Sequence, residues 1–466
     1  MDTVSLISII ERLEQEIGVL KAQNNLLHSR IEELITKNAS LVTENEFLKQ
    51  RIIKLEDKLN INSTNSGLPT SKDIYRIEKH TRAKSDRKAG AQSGHQLHSY
   101  EMQVPDVIVE VVPEEDICKC GGTLTLEESF TAHQKIEIPV IKPVVTEYRL
   151  QHKVCVKCKR KYKGKLDNYR LLEKNAGSII TSLTGFFNNS KRDVQAILSH
   201  IFNLDLSLGL ISNTEGRISE TIEGKYKELV DQAEESSYLH LDETSHNNKG
   251  KRGWAWVAAS RAVTVFKLAN SRGRKALENF LPEYIGNVVS DRYSVYNIYD
   301  SEKRQICLAH LARDFKRFAH SKDIELAKVG NELHYIIGMV FKFYKLYKAG
   351  QMDRQRYLYV MQKIKDRMLY YLKSVSDIDR WEQAQRVAKN ILKSFDMMWL
   401  FTRDDEIEPT NNFAERQIKH HVKYRKNSFF TWSERGDRFL ERIKSLYATA
   451  KLQKLNPLQE LREQLN

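Results

Sequence analysis

SSYLHLDETSHNN (residues 236–248) and NVVSDRYSVYN (residues 287–297) decide how this chain is read. In the first, apolar and polar residues alternate into Asp242, the period-two pattern of a half-buried strand. In the second, Val288 and Val289 lead into Asp291. Each run reads as a short strand with an aspartate at its end. Between them GWAWVAAS (253–260) and AVTVFKLAN (262–270) are two further strand candidates, and SRGRKALENFLPEY (271–284) carries a helix signal. The order is a three-strand meander, a helix and a fourth strand. Trp254 and Trp256 are one residue apart, so they share a sheet face and are read as core. Strand ends bring acids that are distant in sequence to one edge of a sheet, where they can converge on metal.

Two hard divalent ions need more carboxylate oxygen than two aspartates supply. The third acid is read as Glu415 in PTNNFAERQIKHHVKYRK (409–426), where Pro409, Thr410 and the Asn pair form a helix start and Glu415 faces the sheet. Asp404, Asp405, Glu406 and Glu408 are its rivals, in a polar loop before the proline. The pattern describes an RNase H-like α/β domain over 235–318 and 409–450, in which Asp242, Asp291 and Glu415 hold two Mg2+ or Mn2+ ions. Residues 319–408 read as an all-α insertion with a small core of its own, its aromatics at helical spacing being core. Residues 451–466 are a tail.

Leu6, Leu13, Leu20, Leu27, Leu34, Leu41, Leu48 and Leu55 recur every seven residues, alternating with Ile10, Ile17, Asn24, Ile31, Asn38, Asn45, Ile52 and Leu59. Ile at a with Leu at d favours a parallel dimer, and Asn at a fixes register and strand number. Residues 1–59 are therefore expected to be a leucine-zipper coiled coil that makes a homodimer or higher oligomer. From 60 to 99 the heptads stop in a basic, polar linker containing INSTNSGLPTSKD. Its Arg76, Lys79, Arg82, Lys84, Arg87 and Lys88 either space the domains or lie along phosphates.

Residues 100–172 hold Cys118-Lys-Cys120 and Cys155-Val-Lys-Cys158, separated by a strand-like stretch rich in Val and Ile. Two such pairs in a reducing compartment read as a zinc-ribbon-like module, with one structural Zn2+ on Cys118, Cys120, Cys155 and Cys158. The first pair is one residue short of the common knuckle. Around the second pair, Lys153, Lys157, Lys159, Arg160, Lys161, Lys163 and Lys165 are read as a DNA contact. Residues 173–234 look helical, and SKRDVQAILSHIFNLDLSLGLISNTEGRIS (190–219) has the form helix, turn, helix. Its second helix, from near Ser207, either offers Ser212, Asn213 and Arg217 to a major groove or simply packs on its neighbour.

Lys and Arg number 75 against 61 Asp and Glu, a net charge of +14, which favours a polyanionic partner. No apolar run is long enough to span a membrane and no secretory signal opens the chain, so a cytoplasmic protein is expected. Cys307 and His310 in CLAHLARDF form a CxxH that is either a metal pair or packing, and His310 alternatively touches the scissile phosphate. Arg313, Arg416, Lys419, Lys423, Arg425 and Lys426 make the Glu415 region basic, suited to holding DNA against carboxylates that would otherwise repel it.

HLDET, GWAWVAAS, VVSDRYSVYN, CLAHLARDF, PTNNFAERQIK, the RK of YRKNS and SLYATAKLQKLNPLQELRE together resemble transposases of the insertion sequence 66 family. NSTNSGLPTSKD and GAQSGH resemble that family's linker segments. The resemblance implies DDE chemistry, with the three acids falling on Asp242, Asp291 and Glu415. It also implies DNA partners, namely the element's terminal inverted repeats and target DNA, together with element-encoded accessory proteins. The short first Cys pair, the less Pro-rich linker and the divergent helical region depart from the family pattern. A nuclease without strand transfer and a DNA-binding regulator that has lost catalysis are the alternatives.

Removal of residues up to Asn60 is expected to shift the chain toward monomer, because the heptad stripe buries itself only against another chain. Sedimentation equilibrium that gave one mass for both proteins would count against the zipper.

Overall fold

In a computed structural model, which describes residues 3–59, 101–167 and 169–465, every heptad lies on one helix, α1 (Thr3–Leu59). The side chains of Leu6 and Leu59 and the whole linker from 60 to 99 lie outside the described residues. The chain separates into two compact units. One holds described residues 3–59, 172–190 and 213–465; the other holds 101–167, 169–171 and 191–212. This division cuts through the segment 173–234 that the sequence reads as one helical domain.

In the second unit, β1 (His152–Val154) and β2 (Lys161–Lys163) form an antiparallel hairpin, and a single bridge joins Ile117 to Thr123. The Val- and Ile-rich stretch between the cysteine pairs, expected to be strands, forms none among the described residues; Val144 is 95% exposed. Pro139 and Pro143 explain this, since each removes a ladder donor from a run that otherwise alternates like a strand.

Helix α2 (Lys174–Thr181) runs on into a π turn over Ser182–Phe186, followed by α3 (Lys191–Phe202), α4 (Leu208–Thr221) and α5 (Glu223–Glu234). Helix α4 starts one residue beyond Ser207, whose hydroxyl accepts the Leu210 N–H at 3.2 Å. Asn213 is exposed, whereas Arg217 donates to the Leu172 carbonyl at 3.2 Å.

The sheet of the first unit is built from β3 (Tyr238–Asn248), β4 (Lys251–Ala259), β5 (Thr264–Ala269), β6 (Asn287–Ser290) and β7 (Arg304–Ile306), in the order β5-β4-β3-β6-β7. The first three strands are antiparallel; β3, β6 and β7 are parallel. A short helix, α6 (Arg274–Glu278), stands between β5 and β6. One correction concerns Asp242, which lies inside β3 and not at its end. Parallel pairing to β6 stops at His240↔Val289, while antiparallel pairing to β4 carries the strand on to Asn248. Asp242 therefore stands just past the parallel seam, and Asp291 directly follows β6.

After β7 come α7 (Leu308–Ala319), then α8 (Ile324–Lys348), α9 (Arg354–Ser376) and α10 (Glu382–Lys393). Buried Tyr357, Trp381, Phe395, Trp399 and Phe401 of this stretch form one cluster with Tyr238, Val289 and Ile306 of the sheet, so the insertion does not have the separate core expected of it. Helices α11 (Asn412–Asn427), α12 (Glu434–Leu452) and α13 (Pro457–Glu463) complete the chain. Ala414, Ile418 and Ala448 pack with Val257 and Phe266 on one sheet face. Leu229 and Ala233 of α5 pack with Leu239, Leu241 and Trp256 on the other. Alternation along β3 thus puts Asp242 on the face that α11 covers. Trp256 is buried as expected, but Trp254 is only partly so, stacked 4.7 Å beneath the Arg272 guanidinium.

Helix α12 also closes the sheet edge. Glu441, Ser445 and Thr449 accept the backbone N–H groups of Leu268, Phe266 and Thr264 at 2.8, 2.9 and 3.0 Å. Four residues of helix advance about 6 Å and two of strand about 6.7 Å, so the two ladders match.

Lys444, on the same helix, is buried and donates to Asn188 Oδ1 at 2.9 Å. Burial pushes its ammonium down to about 7. The unfolded chain then holds that proton more tightly than the folded one between about pH 7 and about pH 10.4. Stability from this group is expected to rise with pH across that window. Urea midpoints of wild type and Lys444→Met should move apart in slope, the variant lacking this rise; identical pH slopes would refute the burial effect.

Candidate active site

Asp242, Asp291 and Glu415 come from three elements, β3, the β6 exit and the first turn of α11. Each is fixed locally. Asp242 Oδ1 accepts the Glu243 N–H at 2.9 Å, and Asp291 Oδ1 accepts the Tyr293 N–H at 2.8 Å. Buried Arg304 holds the Asp291 turn, donating to its carbonyl at 3.2 Å and to Asn297 Oδ1 at 2.6 Å. Glu415 lies 3.8 Å from the Arg313 guanidinium. Burial pushes the Asp242 carboxyl well above the usual range, and the charges of Glu243, Asp291 and Glu415 push it further. The three acids thus act on one another electrostatically, although their carboxylate oxygens do not all lie within 4.8 Å of one another.

Glu243 is an acid that the sequence reading passed over, although HLDET places it beside Asp242. It points to the opposite sheet face, where Arg272 Nε donates to it at 2.8 Å and the Tyr296 hydroxyl also donates. Burial raises its pKa, while those two donors act the other way. Its oxygens are committed to that clamp. The rivals of Glu415 are likewise engaged elsewhere: Asp404 with Asn287 at 2.9 Å, Asp405 with Arg354 at 2.6 Å and Glu406 with Ser237 at 2.9 Å.

Asn411 joins these elements. Its Nδ2 donates to the Leu241 carbonyl at 2.7 Å, its Oδ1 meets His240 Nδ1 at 3.1 Å, and its backbone N–H donates to Cys307 Sγ at 3.1 Å. Cys307, His310 and Glu415 each present a ligand atom, all within 4.8 Å of one another. Burial raises the Cys307 thiol and lowers the His310 imidazole, with Arg313 lowering the latter further. His310 Nδ1 is buried without a hydrogen-bond partner.

Arg416, Lys419, Lys423 and Lys426 are exposed at spacings of three, four and three along α11, which makes one stripe. Arg425 is not part of it; its guanidinium turns into the sheet, donating to Ser245 Oγ at 2.7 Å and Thr244 Oγ1 at 3.0 Å. Lys157, Lys159, Arg160 and Lys161 are exposed at the turn of the β1–β2 hairpin. There the backbone and then the thiol of Cys158 lower the Cys155 thiol by hydrogen bonding, and the Gly122 backbone and then Cys118 do the same to the Cys120 thiol. Among the described residues the two pairs do not gather three or more ligand atoms within 4.8 Å. No helix among those residues is long and apolar enough to cross a membrane.

A family model described as transposase IS66 family matches residues 191–438, more than half of the chain, and spans all three acids. The chain belongs to that family. A second model, a family of unknown function (DUF6444), matches residues 13–101. Two proteins of Sinorhizobium fredii are similar. Uncharacterized protein y4qI is 21% identical over 56% of this chain and 53% of its own length. Uncharacterized protein y4jD is 25% identical over 48% of this chain and 47% of its own. The chain thus spans about half the length of the curated relatives it matches.

Asn411→Ala leaves the Leu241 carbonyl and His240 without their buried partner, a loss of about 1–3 kcal/mol. The urea midpoint is expected to fall accordingly, and a variant as stable as wild type would show that the node carries no load.

Proposed function

We propose that this chain is a DDE transposase. It binds the terminal inverted repeats of its element, hydrolyses a phosphodiester to leave a 3′-hydroxyl, and joins that hydroxyl to target DNA. Membership of the transposase IS66 family supports the reading, and one observation carries it to residues: Asp291 and Glu415 both act on the buried carboxyl of Asp242. Burial is the first cause that keeps the Asp242 carboxyl from ionising, with Glu243, Asp291 and Glu415 adding to it, and the three proposed acids form an all-oxygen donor set of the kind that suits hard divalent cations. When bound, two Mg2+ or Mn2+ ions supply Lewis-acid stabilisation of the attacking and leaving oxygens.

The chain's own residues do the rest. Asp242, Asp291 and Glu415 hold the ions, and the fold around them is read as RNase H-like, on the strength of a sheet in which three antiparallel strands join two parallel ones. Arg313 and His310, beside Glu415, orient the scissile phosphate, while Arg416, Lys419, Lys423 and Lys426 follow the backbone along α11. Arg425 serves this surface indirectly, by tying α11 to β3.

Outside the catalytic part, the reading keeps α1 as a parallel zipper, Cys118, Cys120, Cys155 and Cys158 as ligands of one structural Zn2+, and Lys157, Lys159, Arg160 and Lys161 as a DNA contact. Helices α3 and α4 remain the candidate groove-reading pair.

Asp291→Asn or Glu415→Gln is expected to lower cleavage in Mg2+ or Mn2+ by about a hundredfold to a thousandfold or more, with DNA binding intact because it rests on basic surfaces. Asp404→Asn and Glu406→Gln should keep appreciable activity. Full cleavage by Glu415→Gln overturns the assignment of the third acid. Cleavage of end DNA without any joined product favours a nuclease, and binding with neither reaction favours a regulator.

A further inference from the structure

The Cys307, His310 and Glu415 cluster is of a different chemical kind from the all-oxygen acid set beside it. Its ligand atoms are a thiol, an imidazole and a carboxylate, within 4.8 Å of one another. In a tetrahedral zinc site, neighbouring sulfur and nitrogen ligands stand about 3.6 Å apart, so modest side-chain rotations close the gap. The sequence spacing is favourable too. Cys307 precedes the first residue of α7 and His310 lies in its first turn, while Glu415 lies in the first turn of α11.

Two further features fit a cation. The Asn411 backbone N–H already donates to Cys307 Sγ at 3.1 Å, the outer-shell bond that steadies a metal-bound thiolate. His310 Nδ1 is buried yet makes no hydrogen bond. An imidazole nitrogen withdrawn from water without a partner is costly, and coordination satisfies it.

We infer that Cys307, His310 and Glu415 form a binding site for a divalent cation of the zinc class, three protein ligands with a fourth position open. Sulfur and nitrogen donors select zinc over magnesium. A consequence, which rests on the proposed catalytic role of Glu415, is that zinc withdraws this carboxylate from the hard-ion site and opposes Mg2+.

The full-length chain, stripped with chelator, is dialysed against Zn2+, and separately titrated with Co2+ while the thiolate-to-cobalt band is followed. Wild type is expected to take up about one more zinc per chain than Cys307→Ser, with affinity at this site falling about a hundredfold or more, no less than outer-shell losses cost. The cobalt band should shrink in the same variant, against a remainder from the other thiols. His310→Ala and Glu415→Gln test the site without altering a fully buried side chain, and thermal melts check that each variant folds. Equal zinc uptake by wild type and all three variants, or a cobalt band indifferent to Cys307→Ser, overturns the site. Neither readout needs DNA. A chain that binds zinc here but cannot cleave DNA in Mg2+ refutes the catalytic reading and leaves this one standing, whereas active wild type with unchanged zinc uptake does the reverse.

Discussion

The geometry of the acid cluster depends on Asn411. Its side-chain amide donates to the Leu241 carbonyl and faces His240, the two residues that precede Asp242, while its backbone N–H reaches Cys307. Pro409 adds a second tie, its carbonyl accepting the Leu308 N–H at 2.9 Å. One residue thereby fixes β3, the entry to α7 and the start of α11 to each other. The Asp242 carboxyl that it helps to place is raised first by burial and further by the charges of Glu243, Asp291 and Glu415.

A second set of buried polar groups braces the far end of α11. His246 Nδ1 lies 3.2 Å from His421 Nε2, and its Nε2 lies 2.8 Å from Thr431 Oγ1 and 3.1 Å from Asp437 Oδ1. Burial holds His421 well below its usual range, which keeps the imidazole neutral. Strand β3 thus contacts α11 near both ends, through Asn411 and through His421. The ladder from α12 to β5 adds cover to the sheet edge, whose N–H groups would otherwise be open to another strand. The outcome is a helix whose basic stripe faces outward while its first turn stays fixed against the acids.

Much of this was legible in the sequence because it is local. Alternation marked β3, the valine pair before Asp291 marked β6, and Pro-Thr-Asn-Asn before an amphipathic run marked the start of α11 and the place of Glu415 on it. What escaped needed three dimensions. The Ser, His and Asn residues after Asp242 look like a turn, yet pairing with β4 extends them as strand. Glu243 sits beside Asp242 in sequence but on the other sheet face, with partners at Arg272 and Tyr296 that no spacing reveals. CxxH was visible; that Glu415 completes it was not. Arg425 reads as one more cation in a basic helix until the sheet beneath it is seen. The Val- and Ile-rich run between the cysteines misled in the opposite sense, since apolar alternation predicts strand only where the backbone donors survive.

Helix α1 shows how an incomplete burial pattern can still be informative. Its d-position leucines, from Leu13 to Leu55, are about half exposed along the described helix. A stripe of that length on a single chain is an unpaid hydrophobic cost, and a second copy in the same register would remove it. The asparagines at a weaken that pairing but reject staggered or higher-order alternatives. At its C-terminal end α1 meets the helical insertion, where Lys54 pairs with Glu382 at 2.7 Å and Asp57 accepts from Ser321 at 2.9 Å. Both contacts are exposed or partly so, and worth little singly. Their position matters more than their strength. They tie the proposed dimer seam to the segment that separates β7 from α11, so pairing of two chains through α1 would carry both insertions with it. The insertion itself is a packed helical body whose core runs on into the sheet, since its buried residues form one cluster with Tyr238, Val289 and Ile306.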